Sequence, residues 1–390
     1  MKRWIDTAIA AVFLAVTVGF AAAFWLVPDK AFSENENRVL QTLPAPSLSS
    51  WLEGTLSMRL SDYYTDQIPL RTELVGLSSA AQVATGRGEA NGVLWNGGDK
   101  LAVRRFDAYL DRTSRQKDTD LFDPTHVKAS LTAIGTLDEI SDTPVTLLIA
   151  PRVIDVTGRD FGYPTTLSDT LHKAILDSTA TDDIDTVDLW DTFRTMHEQG
   201  ETVYYRTDHH WTTLGAYTAY RAILASWGME AETLSSDAFT VREITDFYGT
   251  TWSRAGLYGV SPDTLEIWEA PDDGDYALLD SDGNSLLHGF IDESYLATKD
   301  KYGAFLGGTR RLIRVESTVE SNRPRLLIAR DSFASAVVPF LARHFDVVAV
   351  DLAGGVTDLS AIAARYDCVR ILILCNAENL VTGDALLRIQ

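Results

Sequence analysis

The chain has 390 residues, 45% of them hydrophobic, which is enough to bury a core without disulfide or metal support. Its formal net charge of -21 repels phosphate backbones, so we expect no nucleic-acid partner. The two cysteines, Cys368 and Cys375, lie in one apolar stretch and define no disulfide framework.

The N-terminal residues predict one membrane-spanning helix. Lys2 and Arg3 precede an apolar run over residues 5–27, which carries one charge and is long enough to cross a bilayer. Acidic residues follow the run, so the positive-inside rule places the rest of the chain outside the cytoplasm. A cleaved signal peptide is the alternative, because Ala21–Ala23 offers a small-residue cleavage site. We favour an uncleaved anchor, since the apolar run continues past that site.

Composition divides the chain into three parts. Residues 1–30 form the predicted anchor, and residues 31–50, with two prolines among small polar residues, predict a linker. Residues 51–390 predict a single larger domain, which opens with a helical apolar pattern that is broken at Pro69.

Four continuous apolar runs in this domain are typical of buried parallel strands. They cover residues 145–150, 326–329, 347–350 and 369–374. Turn residues and helical patterns alternate with the last three runs, so the sequence predicts an α/β domain with a doubly wound, mainly parallel sheet. Between residues 231 and 314 the pattern predicts only mixed strands and loops.

The segment over residues 204–212 (YYRTDHHWT) precedes a helical pattern that ends at Gly228. Near a helix N-terminus a histidine tends to stay neutral and an aspartate is favoured. His210 therefore suits a general base, and Asp208 suits the carboxylate that orients it. One alternative is that Asp208 only caps the helix. A zinc site of Asp208, His209 and His210 is another, but no further ligands have suitable spacing, so we expect no metal or other cofactor.

A second feature is the transition from a predicted strand to a helix at Asp331-Ser332-Phe333. A serine at such a position lies beside the free backbone N–H groups of the first helical turn, where an oxyanion needs donors. Ser332 is therefore a candidate nucleophile. The alternative is that Asp331 and Ser332 only cap the helix. The signal gains specificity from its combination with Asp208 and His210.

Five short motifs lie in order along the chain from about residue 30. They are NENR at 35–38, DQIPLR at 66–71, TDHHWT at 207–212, YGAFLGG at 302–308, and DSF at 331–333 followed by PFL at 339–341. In this order they resemble the motifs of the DHHW family of bacterial envelope proteins. That family is similar in turn to the SGNH-hydrolase-like domains of alginate O-acetylation proteins.

The resemblance implies an SGNH-hydrolase-like catalytic domain over residues 51–390. It implies that Asp208 is the orienting carboxylate, His210 the general base and Ser332 the nucleophile, with His209 in a variable position. Asn376, after the last predicted strand, is the candidate for an oxyanion-hole side chain. The full set of candidates for oxyanion or substrate contacts is Asn376, His209, Tyr205, Trp211, Arg254 and Tyr302.

The implied function is O-acyl transfer, with acetyl as the expected group, to an exported cell-surface polysaccharide. The implied partner is a membrane-bound O-acyltransferase that supplies acyl groups across the bilayer. The protein would then be a single-pass protein of the bacterial cell membrane. A carbohydrate acetylesterase of the same fold and a noncatalytic polysaccharide-binding scaffold are the alternatives, because transferase and esterase share one acyl-enzyme.

Overall fold

A computed structural model describes residues 2–33, 38–104, 122–163, 166–231, 238–355 and 358–390. The chain forms two compact units. The smaller contains residues 1–91 and 253–258, and the larger contains residues 92–252 and 259–390.

The smaller unit is mainly helical. Its elements are α1 (Lys2–Leu26), β1 (Phe32–Ser33), β2 (Arg38–Val39), α2 (Leu48–Leu52), α3 (Thr55–Gln67), α4 (Arg71–Ala84) and β3 (Glu89–Ala90). Within the described ranges, α1 is the one helix long and apolar enough to cross a membrane. The predicted break at Pro69 is confirmed, because it lies between α3 and α4.

Side chains at the end of α3 fasten the segment that follows α1. Gln67 accepts from the Lys30 backbone N–H at 2.9 Å and donates to the carbonyl oxygens of Lys30 and Gln41. The buried Asp66 accepts from the Gln41 N–H at 2.9 Å. The predicted linker over 31–50 begins in this fastened segment, while its residues 34–37, with most of the NENR motif, lie outside the described residues.

The larger unit is built on a central eight-stranded sheet. Its strands are β6 (Val145–Ala150), β7 (Asp185–Val187), β10 (Tyr276–Leu279), β11 (Ser285–His288), β12 (Leu312–Ser317), β13 (Arg325–Arg330), β14 (Asp346–Asp351) and β15 (Cys368–Asn376). The spatial order is β11-β10-β12-β14-β13-β15-β6-β7. The five strands from β14 to β7 are parallel, and the other three join one edge antiparallel.

Helices cover both faces of this sheet. The helices and short helical turns of the unit are α5 (Pro124–Ile140), α6 (Val153–Thr157), α7 (Thr166–Leu176), α8 (Trp190–Glu198), α9 (Thr213–Ser226), α10 (Thr250–Ala255, which ends in the smaller unit), α11 (Glu293–Leu296), α12 (Val338–Leu341), α13 (Leu359–Arg365) and α14 (Ala377–Thr382). Tyr220 of α9 lies in the core on one face, and Ile134 of α5 lies in the core on the other. The predicted doubly wound, mainly parallel α/β fold is therefore confirmed.

The remaining strands form small antiparallel pairs. They are β4 (Val93–Trp95) with β5 (Leu101–Val103), and β8 (Thr240–Phe247) with β9 (Asp263–Glu269). The four predicted strand runs coincide with β6, β13, β14 and β15. Their residues are apolar on both faces because helices cover both faces of a parallel sheet.

The fold brings the polar residues after the parallel strands to one edge of the sheet. Residues 326 and 328 of β13 point into one core, and residues 327 and 329 point into the other. Asp331 and Ser332 follow β13 directly, and Asn376 ends β15 beside it. Ligand sites in open α/β sheets occur at this carboxyl edge.

Candidate active site

Asp208 and His210 lie in a tight turn that precedes α9. Tyr204 and Trp211 form an antiparallel bridge, and the Tyr205 N–H donates to the His210 carbonyl oxygen at 3.3 Å, which closes the turn. The helix cap is Thr212, whose hydroxyl accepts from the Gly215 N–H at 3.2 Å. The alternative in which Asp208 caps the helix is therefore wrong, because the turn holds Asp208 before the cap.

The turn brings His210 between a carboxylate and a hydroxyl. His210 Nδ1 lies 2.5 Å from Asp208 Oδ1, and His210 Nε2 lies 2.7 Å from Ser332 Oγ. Both contacts are hydrogen bonds, the arrangement expected for a nucleophile, its base and the group that orients the base. His210 and Asp208 are buried, whereas Ser332 is partly exposed and can be reached from solvent.

The second oxygen of Asp208 is held by Thr250. Asp208 Oδ2 accepts from the Thr250 N–H at 2.7 Å and from its hydroxyl at 3.0 Å. Burial alone raises the pKa of Asp208, but the charges of His209 and His210 and the hydrogen bonds outweigh it. The pKa of Asp208 therefore lies well below its usual range, so the carboxylate stays ionised near neutral pH.

Gly249, beside Thr250, lies against Asp208. A Cβ atom at Gly249 would overlap the Asp208 side chain far inside van der Waals contact. Asp208 therefore fits in this place only because residue 249 is a glycine.

Aromatic rings fix the imidazole of His210. Tyr302 stacks on it with ring centroids 3.8 Å apart and planes 9° from parallel. The ring of His209 is also 3.8 Å away, tilted by 37°, and the ring of Phe333 is 5.0 Å away. These contacts restrict the imidazole to the plane in which it reaches both Asp208 and Ser332.

We expect the ring of Tyr302, and not its hydroxyl, to matter for turnover. Replacing Tyr302 with Phe keeps the stacked ring and should leave kcat near wild type. Tyr302→Leu removes the stack, which orients the imidazole and stabilises its cation, and should lower kcat about tenfold. Steady-state ester hydrolysis by folded variants measures this. Equal losses in the two variants would contradict the stacking role and indicate that the buried hydroxyl matters instead.

Asp331 fixes the turn that presents Ser332. Residues 332–336 form a 3₁₀ turn, in which Asp331 Oδ1 accepts from the Phe333 N–H at 2.9 Å. Its Oδ2 accepts from the Asn376 N–H at 2.6 Å and from Asn379 Nδ2 at 2.7 Å. Burial raises the pKa of Asp331 in spite of these bonds. The carboxyl group thus joins the end of β13 to the start of α14.

The amide of Asn376 serves the backbone around it. Its Oδ1 accepts from the Glu378 N–H at 2.9 Å, which caps α14. Its Nδ2 donates to the Ala150 carbonyl oxygen at 3.3 Å. Asn376 thus lies at the same sheet edge as Ser332, as expected, but its side chain is already bonded on both sides.

The other candidates fall into three groups. His209 is beside His210 and partly exposed, with a side chain 44% exposed against 8% for His210. Trp211 and Tyr205 are buried, and Trp211 Nε1 donates to the Phe333 carbonyl oxygen at 3.0 Å. Both are core residues around the site, and their burial leaves no exposed ring face for a substrate. Arg254 is half-buried at the end of α10, in the smaller unit.

Sequence reasoning missed Thr250 as the second partner of Asp208. The local signal was the pair Gly249-Thr250 in the short connection between a strand and a helix, where Thr250 begins the helix. A glycine followed by a hydrogen-bonding residue at such a junction indicates close backbone approach. The pattern does not say which side chain approaches.

Asp208, His209 and His210 are also the group of three within the described ranges that could share a metal ion, with ligand atoms within 4.8 Å of one another. Both nitrogens of His210 and both oxygens of Asp208 are already in hydrogen bonds. A metal on His210 Nε2 would therefore replace its contact with Ser332.

Comparison with known proteins identifies the family and the fold. A family model of the DHHW protein matches residues 138–351. No curated protein sequence matches the chain. A DHHW family protein from Eubacterium siraeum DSM 15702 superposes with a TM-score of 0.60 at 19% identity, over 76% of this chain and 95% of its own. Bacillus cereus PatB1 with a sulfonyl adduct gives 0.55 at 18%, over 69% and 94%. The O-acetyltransferase domain of Pseudomonas putida AlgJ gives 0.39 at 16%, over 66% and 84%.

At these identities the first two of these structures establish a shared fold and nothing finer. The family model covers more than half of the 390 residues, and its match includes Asp208, His210 and Ser332. The chain therefore belongs to the DHHW family.

Proposed function

We propose that this protein is a serine-dependent O-acyltransferase, with acetyl as the expected group. The observation that carries the proposal is the 2.7 Å distance between His210 Nε2 and Ser332 Oγ, with Asp208 on the other nitrogen. A serine hydroxyl is a weak nucleophile until a base accepts its proton, and a base is held there in the required tautomer.

The reaction follows from this arrangement. Ser332 Oγ attacks the acyl carbonyl carbon while its proton passes to His210 Nε2, and the carbonyl oxygen becomes an oxyanion. Collapse of this intermediate expels the donor's alkoxide, which takes the proton from His210, and leaves an ester on Ser332. A sugar hydroxyl then repeats the sequence in reverse order, with His210 first as base and then as acid.

Asp208 supports both halves of the reaction. Its carboxylate fixes the proton on His210 Nδ1, so Nε2 faces Ser332 as an acceptor. The imidazolium that forms in each half is stabilised by the same buried negative charge. Because the pKa of Asp208 is strongly lowered, its carboxylate stays ionised throughout the reaction. The proton of Ser332 is therefore held by His210 alone and does not pass on to Asp208.

The substrate and the location are part of the proposal. Resemblance to the DHHW family supports an exported polysaccharide as the acceptor and a membrane-bound O-acyltransferase as the acyl donor. The apolar helix α1 supports attachment of the protein to the bacterial cell membrane with its active site outside the cytoplasm. The similar protein PatB1 carries a sulfonyl adduct, and sulfonyl groups attach to activated nucleophiles, which supports serine chemistry on this fold.

The test is acetyl transfer by the purified full-length chain. We expect incubation with 4-nitrophenyl acetate and acidic or neutral oligosaccharides to give acetylated oligosaccharides by mass spectrometry, and Ser332→Ala to give none. Release of acetate alone, dependent on Ser332, would identify an esterase. Reaction rates equal for wild type and Ser332→Ala would refute the enzymatic proposal and favour the polysaccharide-binding scaffold.

A further inference from the structure

Arg330, two residues before Ser332, is completely buried with most of its hydrogen-bonding capacity unused. Its side chain is 0% exposed, and among the described residues its Nε and Nη2 atoms have no acceptor. Its Nη1 donates at long distance, 3.4 Å to the Asp331 carbonyl oxygen and 3.3 Å to Ser335 Oγ. A buried guanidinium with so few partners costs stability, so its retention calls for a functional explanation.

The location of this charge is specific. Alternation along β13 puts the Arg330 side chain on the face of residues 326 and 328, whose core also contains Tyr302, Trp211 and Phe333 around His210. Both of its hydrogen bonds go to the turn that carries Ser332. Asp351 and Asp331 act on it only through space, and burial lowers the pKa of Arg330. The guanidinium therefore lies directly beneath the nucleophile turn.

The peptide between Asp331 and Ser332 connects this charge to the reaction. Its carbonyl oxygen faces Arg330, and its N–H, at the opposite end of the same planar group, belongs to Ser332. In the part of the chain that the structure describes, this N–H has no acceptor, since it begins the 3₁₀ turn. A free N–H beside the nucleophile is where an oxyanion finds a donor.

We propose that Arg330 is a positioning residue that polarises the Asp331–Ser332 peptide and thereby strengthens the Ser332 N–H as the oxyanion donor. A cation at the carbonyl end of a peptide draws electron density from its N–H end, and such coupled hydrogen bonds strengthen one another in a low-dielectric interior. When Ser332 Oγ bonds to the acyl carbon and its proton moves to His210, the negative charge on the acyl oxygen meets this N–H. This role rests on the proposed serine chemistry, but it is independent of whether the acyl group passes to sugar or water.

Methylboronic acid isolates this role because its adduct with serine carries the tetrahedral negative charge of the acetyl intermediate. Ser332 Oγ bonds to boron, the hydroxyl proton moves to His210, and boron becomes anionic. We expect Arg330→Met to weaken methylboronate binding and to lower kcat by the same factor, about 10- to 100-fold, with a smaller change in KM. Direct removal of an oxyanion donor costs roughly 100- to 1000-fold, so an indirect effect should be smaller. Arg330→Lys should lose less than Arg330→Met.

Stability separates this role from a structural one. Because Arg330→Met removes unsatisfied buried donors and fills the space with an apolar chain, its Tm should equal or exceed that of wild type. The matched control is Arg323→Met. Arg323 is also buried and bonded to the Ala342 carbonyl oxygen at 2.8 Å, but it precedes β13, about 20 Å from Ser332 by the length of the strand. Arg323→Met should lower Tm and leave methylboronate affinity unchanged.

Calorimetric titration of full-length protein in detergent, with thermal unfolding of each variant, gives distinct outcomes. Wild-type affinity in Arg330→Met overturns the role, as does a Tm so low that the variant does not fold, because a structural role predicts that loss. If wild type and Ser332→Ala bind methylboronic acid equally, the serine chemistry fails and the role of Arg330 fails with it. If Ser332→Ala does not bind and Arg330→Met binds as tightly as wild type, only the role of Arg330 is refuted.

Discussion

Replacing His210 with alanine is expected to lower turnover by about 10⁴-fold or more, as is Ser332→Ala, because either change breaks the transfer of the serine proton. The 2.7 Å contact joins the two side chains into one unit, and losses within such a unit do not add. The double variant should therefore be scarcely slower than either single variant. Initial rates of 4-nitrophenyl acetate hydrolysis by purified protein measure all three.

His209 is the matched control for His210. Its side chain is 44% exposed, and its Nδ1 lies 2.6 Å from the Thr250 hydroxyl and 3.6 Å from Asp208 Oδ1. It contributes to the surroundings of the carboxylate but does not reach Ser332 in this arrangement, so His209→Ala should cost about tenfold. A larger loss in His209→Ala than in His210→Ala would identify His209 and not His210 as the base. Full activity in both variants would refute the serine mechanism.

Asp208→Asn should be nearly as damaging, with a loss of about 10⁴-fold and retention of the fold. One carboxylate oxygen accepts from His210 and the other from Thr250, whereas an amide has only one accepting oxygen. If that oxygen faces Thr250, the amide N–H₂ faces His210 Nδ1 and forces its proton onto Nε2. His210 can then no longer accept the proton of Ser332.

The pH dependence of the wild-type rate and a control variant at another buried carboxylate complete the test of Asp208. Because the pKa of Asp208 is held far below its usual range, the acid limb of the wild-type rate should follow one proton and not two. Asp155→Asn changes a buried carboxylate that is bonded to Arg152 and Ser168, and it should lower Tm while leaving kcat of the folded protein unchanged. Wild-type kcat in Asp208→Asn would remove Asp208 from the mechanism.

Four of the five parallel strands of the sheet were predictable because their pattern is local, whereas β7 and the three antiparallel strands were not predicted. Residues 145–150 are apolar except for Thr146, and residues 371–374 are apolar at every position, as expected of strands covered on both faces; they lie in β6 and β15. The candidate residues Asp208, His210 and Ser332 were also predictable from local patterns. The turn with Asp208 and His210 and the strand end with Ser332 each carry a recognisable short motif, although the two are more than a hundred residues apart.

The rest of the site depends on contacts that no local pattern encodes. Thr250 meets Asp208 only because the end of β8 passes beside the turn. The motif at residues 302–308 marked Tyr302 as a candidate, but it did not predict that the ring stacks on His210. The capping role of Asn376 shows a different limit. The sequence placed the residue at the correct edge, but side-chain direction is decided by which neighbouring backbone groups need partners.

Gly249 gives a way to sort relatives of this protein without measuring any activity. The Asp208 carboxylate occupies the volume that a side chain at residue 249 would need. A relative with a larger residue at that position cannot hold its aspartate in the same place, even where the aspartate, histidine and serine are all present. Such chains should be the first tested for loss of the proposed serine chemistry, and Gly249→Val would reproduce their defect in this protein while Asp208, His210 and Ser332 are all retained.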